Sequence, residues 1–146
     1  MRVDFAAGAV EQISMRYGRE ADILHVEGQG SLLHPGSTAI LPLIRGCQPT
    51  HFILVHRAGQ THNHTFPNFE IPPLPDVIHM YEALAGGGGI FTQSKVAAIA
   101  LNTHHLDAVE AQQAVGEMRK LTNLPCADPV RDGAEILLDA VLDRAS

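Results

Sequence analysis

The chain has 146 residues, 45% of them hydrophobic and 18% charged, with a formal charge of −6 at pH 7, the balance of one globular domain rather than a disordered segment. The negative charge and the lack of any Lys/Arg cluster argue against a nucleic-acid surface and a membrane-binding face. No apolar run approaches a membrane span and no basic region followed by an apolar core opens the chain, so a cytoplasmic protein is expected.

Residues 4–17 place Ala6, Val10, Ile13 and Tyr17 at helical spacing behind Asp4, a candidate N-cap, and predict a helix packed on a sheet. A domain that begins with a helix leading into a central-looking strand suggests missing upstream sequence. Residues 23–26, apolar but for His25, then predict a buried parallel strand. Glu27 follows at once, and Gly28 and Gly30 bracket Gln29. Ligands of open α/β sheets lie beyond the carboxyl ends of the strands, which makes Glu27 a candidate functional carboxylate. The alternative is a capping carboxylate, with glycines that only supply positive φ to a turn.

Residues 35–47 predict a helix capped by Ser37 or Thr38, broken near Pro42 and stopped by Gly46. Residues 51–56, HFILVH, predict a buried strand. Residues 59–75 contain four prolines and no periodicity, a loop of the length that usually carries function. Residues 76–84 predict a helix capped by Asp76, with Val77, Met80, Tyr81 and Leu84 on one face. The glycines at 86–89 lack the Lys-Ser/Thr of a phosphate loop and read as a turn.

Residues 96–102 predict a third buried strand. Residues 107–121 predict a helix with Ala111, Ala114, Val115, Met118 and Leu121 inward. After the short segment 126–129, Asp132 is the expected cap of a last helix burying Ile136, Leu137, Ala140 and Val141. Alternating strands and helices predict an α/β fold, a three-layer parallel sheet with covering helices, in a single domain. Cys47 and Cys126, isolated from each other, read as reduced structural thiols.

His62, His64, His104 and His105 come in pairs, but a metal site needs three or four converging ligands, and solvent-facing side chains are the simpler reading. His34 and His56 lie near strand ends, where they either serve a substrate or an acid–base step, or bond to loop backbone. Arg57 either holds a carboxylate or phosphate or is a surface arginine.

The segments VDFAAGAVEQ, ILHVEGQGSLLHPG, QPTHFILVH, VAAIALNTHHL and LPCADPVRDGAEILLDAVL together resemble the C-terminal domain of the D-glutamate N-acetyltransferase (DgcN-type) family, domain-of-unknown-function family 1611. The resemblance covers essentially the whole chain. It implies part of a P-loop NTPase-like fold related to dethiobiotin synthetase, and a small-molecule site for ATP or acetyl-CoA. ILHVEGQG resembles a Walker B strand, in which Glu27 would hold Mg²⁺ while Gly28, Gln29, Gly30 and Ser31 let a ligand approach the backbone. His34, His56 and Arg57 lie on the same presumed side. IALNT resembles a base-recognition strand in which Asn102, with Thr103 beside it, would meet a purine edge. ADPVRDG, with Asp128 and Arg131, resembles a turn closing the nucleotide site.

The chain departs from that pattern in lacking GxxxxGK[ST], the phosphate cradle of a P-loop. The resemblance places the cradle upstream, so the isolated chain is expected to be inactive, with an exposed apolar edge at residues 23–26. A homo-oligomer or a partner chain would cover that edge. The alternatives are a non-catalytic relic or assembly module, and an ATP-dependent ligase or kinase resembling dethiobiotin synthetase.

Overall fold

Three parallel strands carry the fold in a computed structural model that describes residues 3–28, 30–91 and 93–143. They are β1 (His51–Arg57), β2 (Lys95–Asn102) and β3 (Cys126–Ala127), in the order β1-β2-β3. The helices are α1 (Val3–Gly18), α2 (Ile40–Cys47), α3 (Leu74–Gly86), α4 (Ala108–Thr122) and α5 (Glu135–Val141). The sequence predicted this parallel α/β arrangement.

Alternation along the strands divides the core into two layers. On one face Phe52, Leu54, Val96, Ile99, Leu101 and Cys126 meet Leu74 and Ile78 of α3 and Ala114, Val115 and Met118 of α4. On the other, Ala98, Ala100 and Ala127 leave room for α5, which packs through Leu137 and Ala140 beside Ile53. Val96 and Ile99 share a face because the ladder shifts register between Phe52 and Ile53, where Ala97 has no partner in β1. One extra residue in one strand turns the side chains beyond it.

Helix α4 begins where the sequence indicates. Asp107 is its N-cap, accepting from the N–H groups of Val109 and Glu110, while Glu110 returns to the Asp107 N–H in a capping box. Leu121, expected inward, is 55% exposed, because α4 has run past the two-residue β3. Its neighbour Arg119 ties the helix to that strand by donating Nε to Cys126 O at 2.9 Å.

Several expected boundaries are displaced. Pro42 does not break α2, since it lies in the first turn, where backbone N–H groups have no intrahelical acceptor. Ala39, not Ser37 or Thr38, occupies the N-cap, and the helix passes through Gly46 to a left-handed Gln48. Gly46 is where α2 crosses α1: a Cβ there would run into the backbone carbonyl of Ala7. Asp76 and Asp132 are not caps, because α3 starts after Pro73 and α5 after Ala134. Asp132 instead accepts from Gln112 at 3.2 Å. Ile136 is 44% exposed while Leu137 is buried, since a seven-residue helix buries little more than one row. The glycines after α3 form the expected turn, with positive φ at Gly87, Gly88 and Gly89.

Two larger expectations are corrected. Helix α1 packs on α2 rather than on the sheet, leaving Phe5, Ile13 and Tyr17 more than half exposed. Residues 23–26 form no strand. Strand geometry needs a ladder partner on at least one side, and among the described residues none pairs with this segment. Ile23, Leu24 and Val26 are consequently exposed. The open apolar edge of the sheet belongs to β1.

Candidate functional site

The carboxyl ends of three parallel strands converge on one edge, the usual place for a ligand in this fold class. Arg57 and Asn102 are the last residues of β1 and β2 and are directly paired in the ladder. Pairing in register puts both side chains on the face that carries Ile53, Ala98 and Ala100. Both are exposed. Asn102 Oδ1 accepts from the His104 N–H at 3.0 Å, which leaves its amide NH₂ as the group offered outward. A guanidinium and an amide side by side make a donor-rich pair suited to phosphate, carboxylate or the acceptor edge of a base.

Behind this pair the strand ends are locked. Thr103 and Asp128 are buried, and Asp128 Oδ2 accepts from both the backbone N–H and the hydroxyl of Thr103. Asp128 Oδ1 accepts from Val130 N–H at 3.0 Å and Arg131 N–H at 3.3 Å. Burial alone would push the Asp128 carboxyl up, but these hydrogen bonds from Thr103, Val130 and Arg131 outweigh it and hold its pKa below the ordinary value. Arg131 donates to the carbonyls of Thr103 and Leu106, at 3.3 and 2.7 Å. Thr103, Asp128 and Arg131 therefore clamp the 103–106 turn. The sequence marks these residues but gives no sign that they bond to one another.

His56, on the opposite face from Arg57, is half-buried, and desolvation lowers its pKa. It is held neutral near pH 7, against the core rather than beside the exposed pair.

The other candidates lie on the segment before α2. Glu27 is exposed, and no hydrogen bond or ion pair joins it to another described residue. Gln29 lies outside the described residues. A Cβ at Gly28 would meet the tip of the Ile40 side chain at 3.2 Å, a close contact, while Gly30, with φ at +88°, holds a backbone conformation that favours glycine and lies against Ser37. Ser31 Oγ accepts from Leu33 N–H, and the Leu32 N–H donates to Tyr81. His34 Nδ1 accepts from the Gly36 N–H at 3.1 Å, which leaves the ring proton on Nε2, and the ring meets Phe66 edge-on at 5.2 Å. Gly30, His34, Gly36, Ser37, Thr38 and Ala39 line an open depression of about 360 Å³. No polar contact joins this segment to Arg57 or Asn102 among the described residues.

Among the described residues no three His, Cys, Asp or Glu side chains gather as metal ligands. Glu27 alone offers one carboxylate, which suits Mg²⁺ only where phosphate oxygens and water complete its shell. Both cysteines are free. Desolvation raises the Cys126 thiol to about 11, partly countered by Arg119, and it is buried and chemically quiet. No helix among the described residues is long and apolar enough to cross a membrane.

Residues 1–138 match the family described as a domain of unknown function, the DUF1611 C-terminal P-loop domain. A D-glutamate N-acetyltransferase of Tritonibacter scottomollicae is 33% identical over 139 residues, covering 94% of this chain and 41% of that protein. A second, from a Pseudoalteromonas species, is 29% identical and is covered to 40%. The crystal structure of a DUF1611 protein from Anabaena variabilis superposes with a TM-score of 0.96 at 63% identity, over 99% of this chain and 42% of that one. The chain thus spans about two-fifths of the length of these relatives, and by the match along nearly all of its residues it belongs to the DUF1611 family of P-loop domains.

Proposed function

We propose that this chain is the C-terminal domain of a D-glutamate N-acetyltransferase-like protein, and that its strand ends contribute half of a site for a nucleotide-like ligand, ATP or the adenosine diphosphate part of acetyl-CoA. The observation that carries the reading is the ladder pairing of Arg57 with Asn102. In this reading the Arg57 guanidinium takes a phosphate and the Asn102 amide donates to the base, while the clamp behind them keeps the two donors in place.

Acetyl transfer forms a C–N bond from the D-glutamate amine to the thioester carbonyl, breaks the C–S bond, and needs a base for the amine proton and donors for the oxyanion. With its proton on Nε2, His34 is set to donate to a carbonyl oxygen rather than to accept from the amine. Glu27 would carry a Mg²⁺ only together with ligand phosphates. The sequence lacks GxxxxGK[ST], so binding by this chain is expected without turnover.

Nuclear magnetic resonance titration of the chain with ATP and with acetyl-CoA tests the reading. The expected result is shift changes confined to residues 56–60 and 102–106, and no N-acetyl-D-glutamate formed. Shifts confined to the segment around Glu27 would contradict it.

A further inference from the structure

The loop after β1 and the segment before α2 meet at one pair of rings. Residues 61–71 fold on themselves: Asn63 Oδ1 accepts from the N–H groups of Thr65 and Phe66 at 2.9 and 3.1 Å. The Asn63 N–H donates to Phe69 O and the Ile71 N–H to Thr61 O, and His62 pairs with Glu70 in an antiparallel bridge. A side-chain amide bonded to the backbone two and three residues on makes a turn of its own. The turn carries Phe66, which Phe69 supports edge-on at 6.1 Å and which meets the His34 ring at 5.2 Å with the planes 70° apart, a favoured aromatic geometry.

The imidazole is therefore held from two sides. Its Nδ1 accepts from the Gly36 N–H at 3.1 Å, and Gly36 lies so near that a Cβ there would stand 3.3 Å from His34 Cε1. The nitrogen left for a ligand is Nε2, with its proton. His34 lines the depression of about 360 Å³ together with Ser37 and Thr38, whose hydroxyls bond to no other described residue. No Asp, Glu, Lys or Arg is among the described residues that line it. The lining offers three uncommitted donors without a full charge. A carboxylate suits this set, since it only accepts and its two oxygens can each take a neutral N–H or O–H. A phosphate carries more charge and is usually met by Arg or Lys.

We propose that this depression binds a carboxylate of a small ligand, that His34 Nε2–H is the donor that orients it, and that Phe66 is a positioning residue holding the His34 ring. The site is separate from the Arg57–Asn102 pair, and the proposal stands whether or not the strand ends bind a nucleotide.

Long-range proton–nitrogen correlation spectra of the imidazoles test it, with this chain titrated in turn with D-glutamate, glutarate and inorganic phosphate. The expected result is an Nε2–H tautomer for His34 before any addition, and saturable shifts of His34, Ser37 and Thr38 with the two carboxylates but not with phosphate. His34→Ala should lower the affinity about tenfold, the loss of one hydrogen bond to a charged group. Phe66→Ala should lower it about fivefold and let the His34 spectrum move toward a mixture of tautomers, while Phe66→Tyr restores both; unchanged β2 amides show that each variant is folded. An Nδ1–H tautomer, no shift with either carboxylate, or an equal shift with phosphate overturns the proposal. So does a Phe66→Ala variant whose tautomer and affinity are unchanged. Nucleotide binding is read at residues 56–60 and 102–106 in separate titrations, so failure of either reading leaves the other standing.

Discussion

Asp128 accepts both the backbone N–H and the hydroxyl of Thr103 on a single carboxylate oxygen, and this pair fixes the end of β2 against the turn that follows β3. Both residues are almost wholly buried, so neither offers a polar atom freely to a ligand. Their bonds hold the strand end one residue beyond Asn102.

Removing either partner is expected to destabilise the fold. Thr103→Val should cost about 1–2 kcal/mol by deleting a hydrogen bond to a charged group. Asp128→Ala should cost about 3 kcal/mol or more, because it strands the buried N–H of Thr103 and frees those of Val130 and Arg131. Urea denaturation of the single and double variants should show non-additivity of about 1 kcal/mol or more; strict additivity would mean the bonds contribute nothing jointly.

The same carboxylate sets an acid limit. The folded pKa of Asp128 is lowered, so its stabilisation is complete above the unfolded value of about 3.9 and is lost as pH falls through that value toward the folded one. His56 is also lowered; the unfolded chain takes up its proton first, so stability starts to decline as pH drops below about 6.5. Thermal midpoints measured from pH 8 to 3 should fall in two stages. Asp128→Asn should flatten the lower stage and His56→Gln the upper one.

Gly46 is the contact point of α1 and α2. Gly46→Val would place Cβ against Ala7 O and should cost about 1–3 kcal/mol. Exchange of α1 amides should accelerate with little change in β2, since α1 leans on α2 and not on the sheet.

The thiols should separate cleanly. Cys126 is buried with its pKa raised to about 11, whereas Cys47 is only half-buried, though desolvation raises its thiol too. A thiol reagent at pH 8 should modify Cys47 first and reach Cys126 only under denaturing conditions. Rapid reaction of both in the native protein would contradict the burial of β3.

Much of the fold was legible because local signals and packing agree. VAAIALN reads as a buried strand and is one, and Asp107 with Glu110 announces the start of α4. The sequence misleads where the structure depends on a distant partner. Residues 23–26 have the composition of a central strand, yet no described strand lies beside them, so composition alone leaves them irregular and exposed. Ile13 and Tyr17 have helical spacing, but α1 packs chiefly on α2 and leaves both exposed. In the candidate site, Asn102 and Arg57 were marked separately, and their pairing is a matter of register that no single segment contains. Thr103 and Asp128 were marked as ligand residues, and the structure buries both and bonds them to each other; 25 residues separate them, and no local pattern joins them.

The central claim, that the ends of β1 and β2 bind a nucleotide-like ligand, is tested most directly by isothermal titration of this chain with ATP, acetyl-CoA and D-glutamate, each with Mg²⁺, with Arg57→Ala and Asn102→Ala as controls. The account predicts weak binding of ATP or acetyl-CoA that each substitution reduces about tenfold, the loss of one good hydrogen bond to a charged or aligned partner. No heat with either nucleotide, or binding that both substitutions leave intact, would contradict it.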